Sequence, residues 1–301
     1  MEPAEGLVLR PDMSLPEAAP QASARSRRSW LRDFALRMVT GLSLAGIVIG
    51  ALLAGLLPTA LMVGVIIVAL CWEFHQLSRA LGHPAPMWLL VPLALYLALL
   101  RHWQVLQIQT ALVLSVMLGL TALLSIGPSG SAFVRWSLAL GGALYLGLPF
   151  SYYLDLYTRP SSQLFGAGLV MSVASIAILG DVAAYVVGSR FGKRPFFPSI
   201  SPHKTWEGAL AGVGGSLLAA EISFAALGLP LLAGAGIGLV LALGAQAGDL
   251  VESQLKRLAK AKDSGQILPG HGGILDRFDS LLFPPILAAW LIFGLHLVQL
   301  G

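Results

Sequence analysis

From residue 38 to residue 180 the chain carries only six charged side chains, Glu73, Arg79, Arg101, Arg135, Asp155 and Arg159. A soluble domain is about 25% charged on average, so a stretch this long and this bare was not built to face water. Across all 301 residues the chain is 56% hydrophobic and 11% charged, with a mean hydropathy of +0.78. These totals exclude an ordinary soluble enzyme, a disulfide-stapled secreted domain and a disordered regulator. The fold class that remains is an all-α polytopic integral membrane protein.

A membrane-spanning helix needs about 20 mostly apolar residues. On that ruler there are nine candidates, the third short and the seventh rich in glycine: 38–57, 58–77, 86–100, 105–126, 136–154, 166–188, 207–228, 230–248 and 282–300. Charge divides the chain further. Residues 1–37 hold 11 of the 34 charged side chains and residues 181–279 hold 17. Three regions follow: a disordered basic cytoplasmic tail (1–37), N-terminal transmembrane helices (38–165) and a C-terminal transmembrane catalytic region (166–301). The tail is rich in Pro, Ala, Ser and Glu, lacks apolar periodicity, and ends in Arg25, Arg27, Arg28, Arg32 and Arg37. With the tail in the cytoplasm, nine spans place the loops 78–85, 127–135, 189–206 and 249–281 inside as well. Those segments then hold 17 of the 19 Lys and Arg residues, leaving only Arg101 and Arg159 outside.

Smaller features fit a membrane bundle. Gly46 and Gly50, and Gly208 and Gly212, recur at the spacing that lets helices approach closely, which also permits a homodimer. The single cysteine, Cys71, excludes an internal disulfide and reads as a small buried hydrophobe. The six histidines are scattered with no His-x-x-x-His pair, which argues against zinc.

The chemistry is concentrated in two polar islands. The larger runs from Asp249 to Asp279 and holds five acids (Asp249, Glu252, Asp263, Asp276, Asp279) and five bases (Lys256, Arg257, Lys260, Lys262, Arg277). Interleaved acids, bases and glycines are what a magnesium–polyphosphate site requires. Carboxylates hold the hard cation, cations meet phosphate oxygens, and glycines let backbone N–H groups come close. If the eighth helix continues out of the membrane, Asp249, Ser253, Lys256 and Lys260 fall on one face. Asp276 and Asp279, three apart, share a site if the ninth helix begins there. The plain alternative is a solvated loop of mixed charge; the residues alone leave both open.

The smaller island runs from Gly188 to Gly208. Gly188 to Lys193 fails as a phosphate-binding P-loop: three residues separate its glycines instead of four, and Arg194 stands where Ser or Thr is needed. Asp181, inside the sixth apolar run, reads either as a functional acid or as a helix-end acid neutralised by Arg190 or Arg194. Glu73, at the inner end of the second span, is balanced between a structural pair and the edge of the site.

In this order and spacing, Ser253-Gln-Leu-Lys-Arg, Lys262-Asp263, Pro269-Gly-His-Gly-Gly and Leu275-Asp-Arg-Phe-Asp279 resemble the signature of the phosphatidate cytidylyltransferases (CDP-diacylglycerol synthases). Asp181…Ala184-Tyr185…Gly188…Phe191-Gly-Lys193 and Ser201-Pro-His-Lys-Thr-Trp-Glu-Gly208 look like that family's preceding blocks, so the likeness covers roughly residues 170–280. The resemblance implies that CTP and phosphatidic acid give CDP-diacylglycerol and pyrophosphate. By motif position it makes Asp249 and Asp276 the principal Mg²⁺ ligands, with Asp279, Asp263 and Asp181 behind them and a second cation allowed. Lys256, Arg257, Lys262 and Arg277 would contact phosphates, and Ser253 and His271 would donate or accept hydrogen bonds. Lys204, Thr205 and Glu207 would form a nucleotide or pyrophosphate block. The expected setting is a bacterial inner membrane, with the site at the cytoplasmic face and no nucleic acid involved. A CTP-dependent polyprenol or lipid kinase and a transporter are the rival readings. The kinase lacks the full Lys-Asp…Gly-His-Gly-Gly…Asp-Arg-Phe-Asp run, and the transporter would need more ionisable residues among the early helices.

Overall fold

The computed structural model describes residues 27–100, 112–117, 119–121, 129–268 and 272–295. Nearly all of these are helical: α1 (Arg27–Ala54), α2 (Leu56–Ala80), α3 (Met87–Leu95), a short α4 over 112–117 and 119–121, α5 (Gly130–Thr158), α6 (Gln163–Phe191), α7 (Trp206–Ala226), α8 (Leu231–Leu258), α9 (Leu275–Phe278) and α10 (Pro284–Ala289). Helices satisfy their backbone groups internally, which is what lipid demands. One departure from the all-helical expectation is a small antiparallel hairpin between α6 and α7, formed by β1 (Pro195–Phe197) and β2 (Ser201–Thr205).

Among the described residues six helical runs are long and apolar enough to cross a bilayer: α2, α5, α6, α7, α8 and Leu275–Gly294. Of the three further expected spans, 38–57 holds the apolar run Val39–Ala54 at the end of the 28-residue α1. The stretches 86–100 and 105–126 hold the apolar runs Met87–Leu99 and Leu112–Thr121, each close to residues outside the described set. The α3 run is irregular along its length. Pro92 lies inside the helix, which gives way to a π-helical turn over Tyr96–Leu100, and proline removes a backbone donor from the ladder. α1 begins at Arg27, so the residues from Arg27 to Arg37, expected in a disordered tail, are helical. Arg25 and the rest of the tail lie outside the described residues, as does Arg101.

The bundle wears its apolar side chains outward as well as inward. Along α2, Leu57, Leu61 and Val65 recur every fourth residue and stay 63–72% exposed, while Ile67, Leu70 and the lone Cys71 are fully buried. A face of that kind suits lipid contact. One core cluster joins α2, α3 and α5 and reaches Ala259, Leu275 and Leu282 beside the polar loop. A second joins α6, α7 and α8 to α10. α5 contributes Phe150 to the first and Leu156 to the second, so it ties the two together.

The most extensive helix contact is α6 against α7. A Cβ on Gly208 would lie 2.9 Å from the Ala184 carbonyl oxygen and 3.1 Å from Gly188 Cα, and one on Gly212 would lie 3.2 Å from the Gly180 carbonyl oxygen. The packing expected of Gly208 and Gly212 is therefore present. Gly46 and Gly50 differ, because nothing comes within 4 Å of the same position on either.

Candidate active site

The two polar islands meet at one end of the bundle. Lys204 Nζ on β2 lies 2.6 Å from Asp249 Oδ2 on α8. Arg257 Nε donates to the Ile200 carbonyl oxygen at 3.0 Å, fastening the hairpin tip to the end of α8. The other two residues of the expected nucleotide block shape the hairpin. Thr205 caps α7, its hydroxyl oxygen accepting from Gly208 N at 3.2 Å, a contact worth about 1 kcal/mol to a helix. Glu207 Oε2 accepts from the backbone N–H groups of Lys193 (3.1 Å) and Arg194 (3.3 Å). Together they aim Lys204 at the larger island.

α8 extends through the first part of that island, and Asp249, Ser253 and Lys256 share a face as their spacing requires. Ser253 Oγ donates to Asp249 Oδ1 at 3.4 Å. Lys260 does not join them. The helix closes at Leu258, with Ala261 N donating to the Lys256 carbonyl at 2.9 Å, and Lys260 adopts φ 54°. The left-handed residue that ends a helix no longer follows its periodicity.

Lys256 sits between two acids. Its ammonium pairs with Glu252 one turn earlier and lies 2.6 Å from Asp276 Oδ1; the Lys256 side chain is 13% exposed, Glu252 0% and Asp276 10%. Asp276 Oδ2 accepts two further bonds, from Ser264 N (2.9 Å) and Gly273 N (2.9 Å), and lies 3.0 Å from the Ser264 hydroxyl, whose one proton it shares with Glu73. Glu73 of α2 grips the same loop from the far side, accepting from Ile274 N, Leu275 N and Ser264 Oγ. Three residues not singled out as site residues thus join the network: Glu73, Glu252 and Ser264. An acid near the end of an apolar span and an i,i+4 Glu–Lys pair were the available signals for the first two; Ser264 gave none.

Asp279 Oδ1 accepts from Ser280 N at 2.6 Å, and its charge interacts with those of Asp249, Glu252 and Asp181. Lys262 and Asp263 are exposed on the loop, and Arg277 is exposed beside Asp276. His271 lies outside the described residues. Behind these groups opens a cavity of about 600 Å³. Leu44, Val48, Met62, Phe150 and Met171 line its apolar length, and Asp181, Asp276, Arg277 and Asp279 close its polar end.

Among the described residues no three His, Cys, Asp or Glu side chains converge into a ready metal cage. Mg²⁺ rarely needs one, since it binds through one or two carboxylates, substrate phosphates and retained waters. The donor set suits it. Among the described residues, both oxygens of Glu252, apart from the ion pair to Lys256, lack hydrogen-bond donors, as the buried Tyr145 hydroxyl lacks a partner. Tyr145 also feels the charges of Glu252, Asp279 and Asp249. Protein donors engage both oxygens of Asp249 and of Asp276: Ser253 Oγ and Lys204 Nζ reach Asp249, and Lys256, Ser264 and Gly273 reach Asp276.

Residues 35–294 match the cytidylyltransferase family. The chain belongs to that family. Among its cytidylyltransferase relatives, the phosphatidate cytidylyltransferase of Bacillus subtilis (strain 168) is 45% identical over 143 residues, covering 47% of this chain and 52% of that protein. The phosphatidate cytidylyltransferase of Staphylococcus aureus (strain COL) is 37% identical over 183 residues, 60% of this chain and 67% of that protein. The corresponding protein of Mycobacterium bovis is 43% identical over 131 residues, 43% of this chain and 42% of that protein. The chain thus spans about half the length of the Bacillus cytidylyltransferase it matches.

Proposed function

We propose that this chain transfers the cytidylyl group of CTP to phosphatidic acid, giving CDP-diacylglycerol and pyrophosphate. The observation that carries this reading is the apolar cavity whose closed end is made of charged groups. A diacyl lipid fits such a shape, with its tails among Leu44, Val48 and Met171 and its phosphate at the Arg277 end. The matching relatives carry the name of that activity.

In the reaction a lipid phosphate oxygen bonds to the α-phosphorus of CTP while the bond from that phosphorus to the bridging oxygen breaks, releasing pyrophosphate. The attacking oxygen is already ionised, so no general base is required. Positioning and charge neutralisation supply the rate. Arg277 orients the lipid phosphate, and Lys256, Arg257 and Lys262 meet the nucleotide phosphates, assisted by Ser253 and His271. Lys204 exchanges its contact with Asp249 for the triphosphate as CTP enters. Asp249 and Asp276, with Asp279, Asp181 and Asp263 around them, are the groups to hold Mg²⁺. Its contribution when bound is to offset phosphate charge. We read the topology as nine spans with the tail, hairpin and polar loop on the cytoplasmic side of a bacterial inner membrane. The open Gly46 and Gly50 face is available to a homodimer.

The test uses purified protein in detergent micelles with phosphatidic acid, Mg²⁺, and CTP labelled at either the α- or the γ-phosphorus. Transfer puts α-label into the lipid and leaves γ-label in pyrophosphate. Lipid carrying the γ-label would instead identify a CTP-dependent kinase, and no labelled lipid would reject both. In the same assay Lys204→Ala is expected to raise the half-saturating CTP concentration about tenfold, from the loss of one charge-assisted bond. An unchanged CTP dependence would confine Lys204 to shaping the hairpin.

A further inference from the structure

We propose that Glu73, on the N-terminal side of the molecule, is a positioning residue for the transfer reaction, an inference that rests on the function proposed above. Its side chain is 1% exposed, and it is not among the residues lining the cavity. Its carboxylate receives three hydrogen bonds: from Ile274 N at 2.9 Å on Oε1, and from Leu275 N at 2.7 Å and Ser264 Oγ at 3.0 Å on Oε2. No cation supplies these contacts. Glu73 binds the backbone of Ile274 and Leu275, between Gly273 and Asp276, and the hydroxyl of Ser264, so it fixes where the Asp276 carboxylate stands.

The loop is moulded around this acid. A Cβ on Gly273 would lie 2.6 Å from Glu73 Oε2, and one on Gly265 would lie 2.7 Å from Glu73 Cδ. Only glycine fits at either place. Ser264 then couples the two acids. Its hydroxyl lies 3.0 Å from Glu73 Oε2 and 3.0 Å from Asp276 Oδ2, while its N–H donates to the latter at 2.9 Å. Asp276 Oδ1 in turn holds Lys256 at 2.6 Å. A continuous set of short contacts thus runs from α2 through the loop to the ammonium group that meets phosphate. Outer partners of this kind typically matter by about 10–100-fold when they orient catalytic carboxylates.

Glu73→Gln keeps the shape but turns an NH₂ toward at least one of the three donors, so one arm of the grip opens. The expected result is folded protein whose kcat falls about 10–100-fold, with the KM for CTP and for phosphatidic acid each within about twofold of wild type. Ser264→Ala interrupts the same link, so the double variant should lose no more than the weaker of the two singles. A Glu73→Gln protein with kcat within twofold of wild type would overturn the proposal, as would losses that multiply in the double variant. Should Glu73→Gln not fold, Glu73→Asp takes its place, retaining the charge but shortening the reach. Reduced kcat at unchanged KM supports positioning, and full activity overturns it. Wild type run alongside separates the two levels of inference. If wild type makes no labelled lipid, the proposed function fails; if it does and Glu73→Gln turns over at a kcat within twofold of wild type, only this inference fails.

Discussion

Lys256→Met is expected to destabilise the folded protein by about 3–5 kcal/mol, the usual consequence of stripping the partner from a buried charge, and to abolish detectable transfer. One ammonium lies between two carboxylates, and neither Glu252 nor Asp276 is more than 10% exposed. Without it, two negative charges face each other where little water can screen them. They must take up protons or push the loop off α8. The lone cysteine provides the readout. Cys71 is fully buried, so a thiol-reactive dye reports unfolding directly in micelles. The variant should label at a markedly lower temperature than wild type, and adding Glu252→Gln should recover part of the loss by removing one stranded charge. A labelling curve that matches wild type would mean that Lys256 does not bind these two acids together.

Asp249→Asn is expected to lower turnover about 10²–10³-fold, the scale of losing one preorganised electrostatic contact to a transition state, with little change in stability. The contrast with Lys256 comes from exposure. The Asp249 side chain is 25% exposed and its pair with Lys204 is open to solvent on both sides. Exposed pairs contribute roughly 0–1 kcal/mol, so the asparagine protein should melt like wild type. Initial rates measured across a Mg²⁺ titration check the assignment, since an impaired metal ligand leaves a deficit that excess Mg²⁺ does not fully repair. Turnover within threefold of wild type at every Mg²⁺ concentration would remove Asp249 from the ligands.

What could be seen in the sequence was whatever a local pattern carries. The bare stretch from residue 38 to 180 announced a membrane bundle, and the i, i+4, i+7 spacing of Asp249, Ser253 and Lys256 placed them on one face of α8. Gly208 and Gly212 marked a real helix contact, whereas the same spacing at Gly46 and Gly50 marked none, because spacing describes one surface and says nothing of what opposes it. Lys260 left its expected face since helix periodicity ends where the helix does. The stretch 86–100 is helical from Met87 to Leu100, but Pro92 and the π turn after it alter its ladder in a way hydropathy alone does not register. Thr205 and Glu207, expected in a nucleotide block, shape the hairpin through a helix cap and two backbone bonds that local pattern does not reveal. Glu73 was the hardest to place, since nothing near residue 73 encodes a partner at Ile274, 201 positions later.

That separation bears on how the molecule is made. Chains emerge from their N-termini at about 5–20 residues per second, so α2 enters the bilayer roughly ten seconds or more before Ser264, Ile274 and Leu275 exist. Until then Glu73 sits in an apolar helix without its hydrogen-bond donors, and an unsatisfied acid there raises the free energy of every half-finished chain. The arrival of the loop relieves that penalty and assembles the reaction centre in the same event. A nascent chain interrupted before residue 264 therefore has helices but lacks the loop that Glu73 holds, and docking of that loop both satisfies the buried acid and places Asp276.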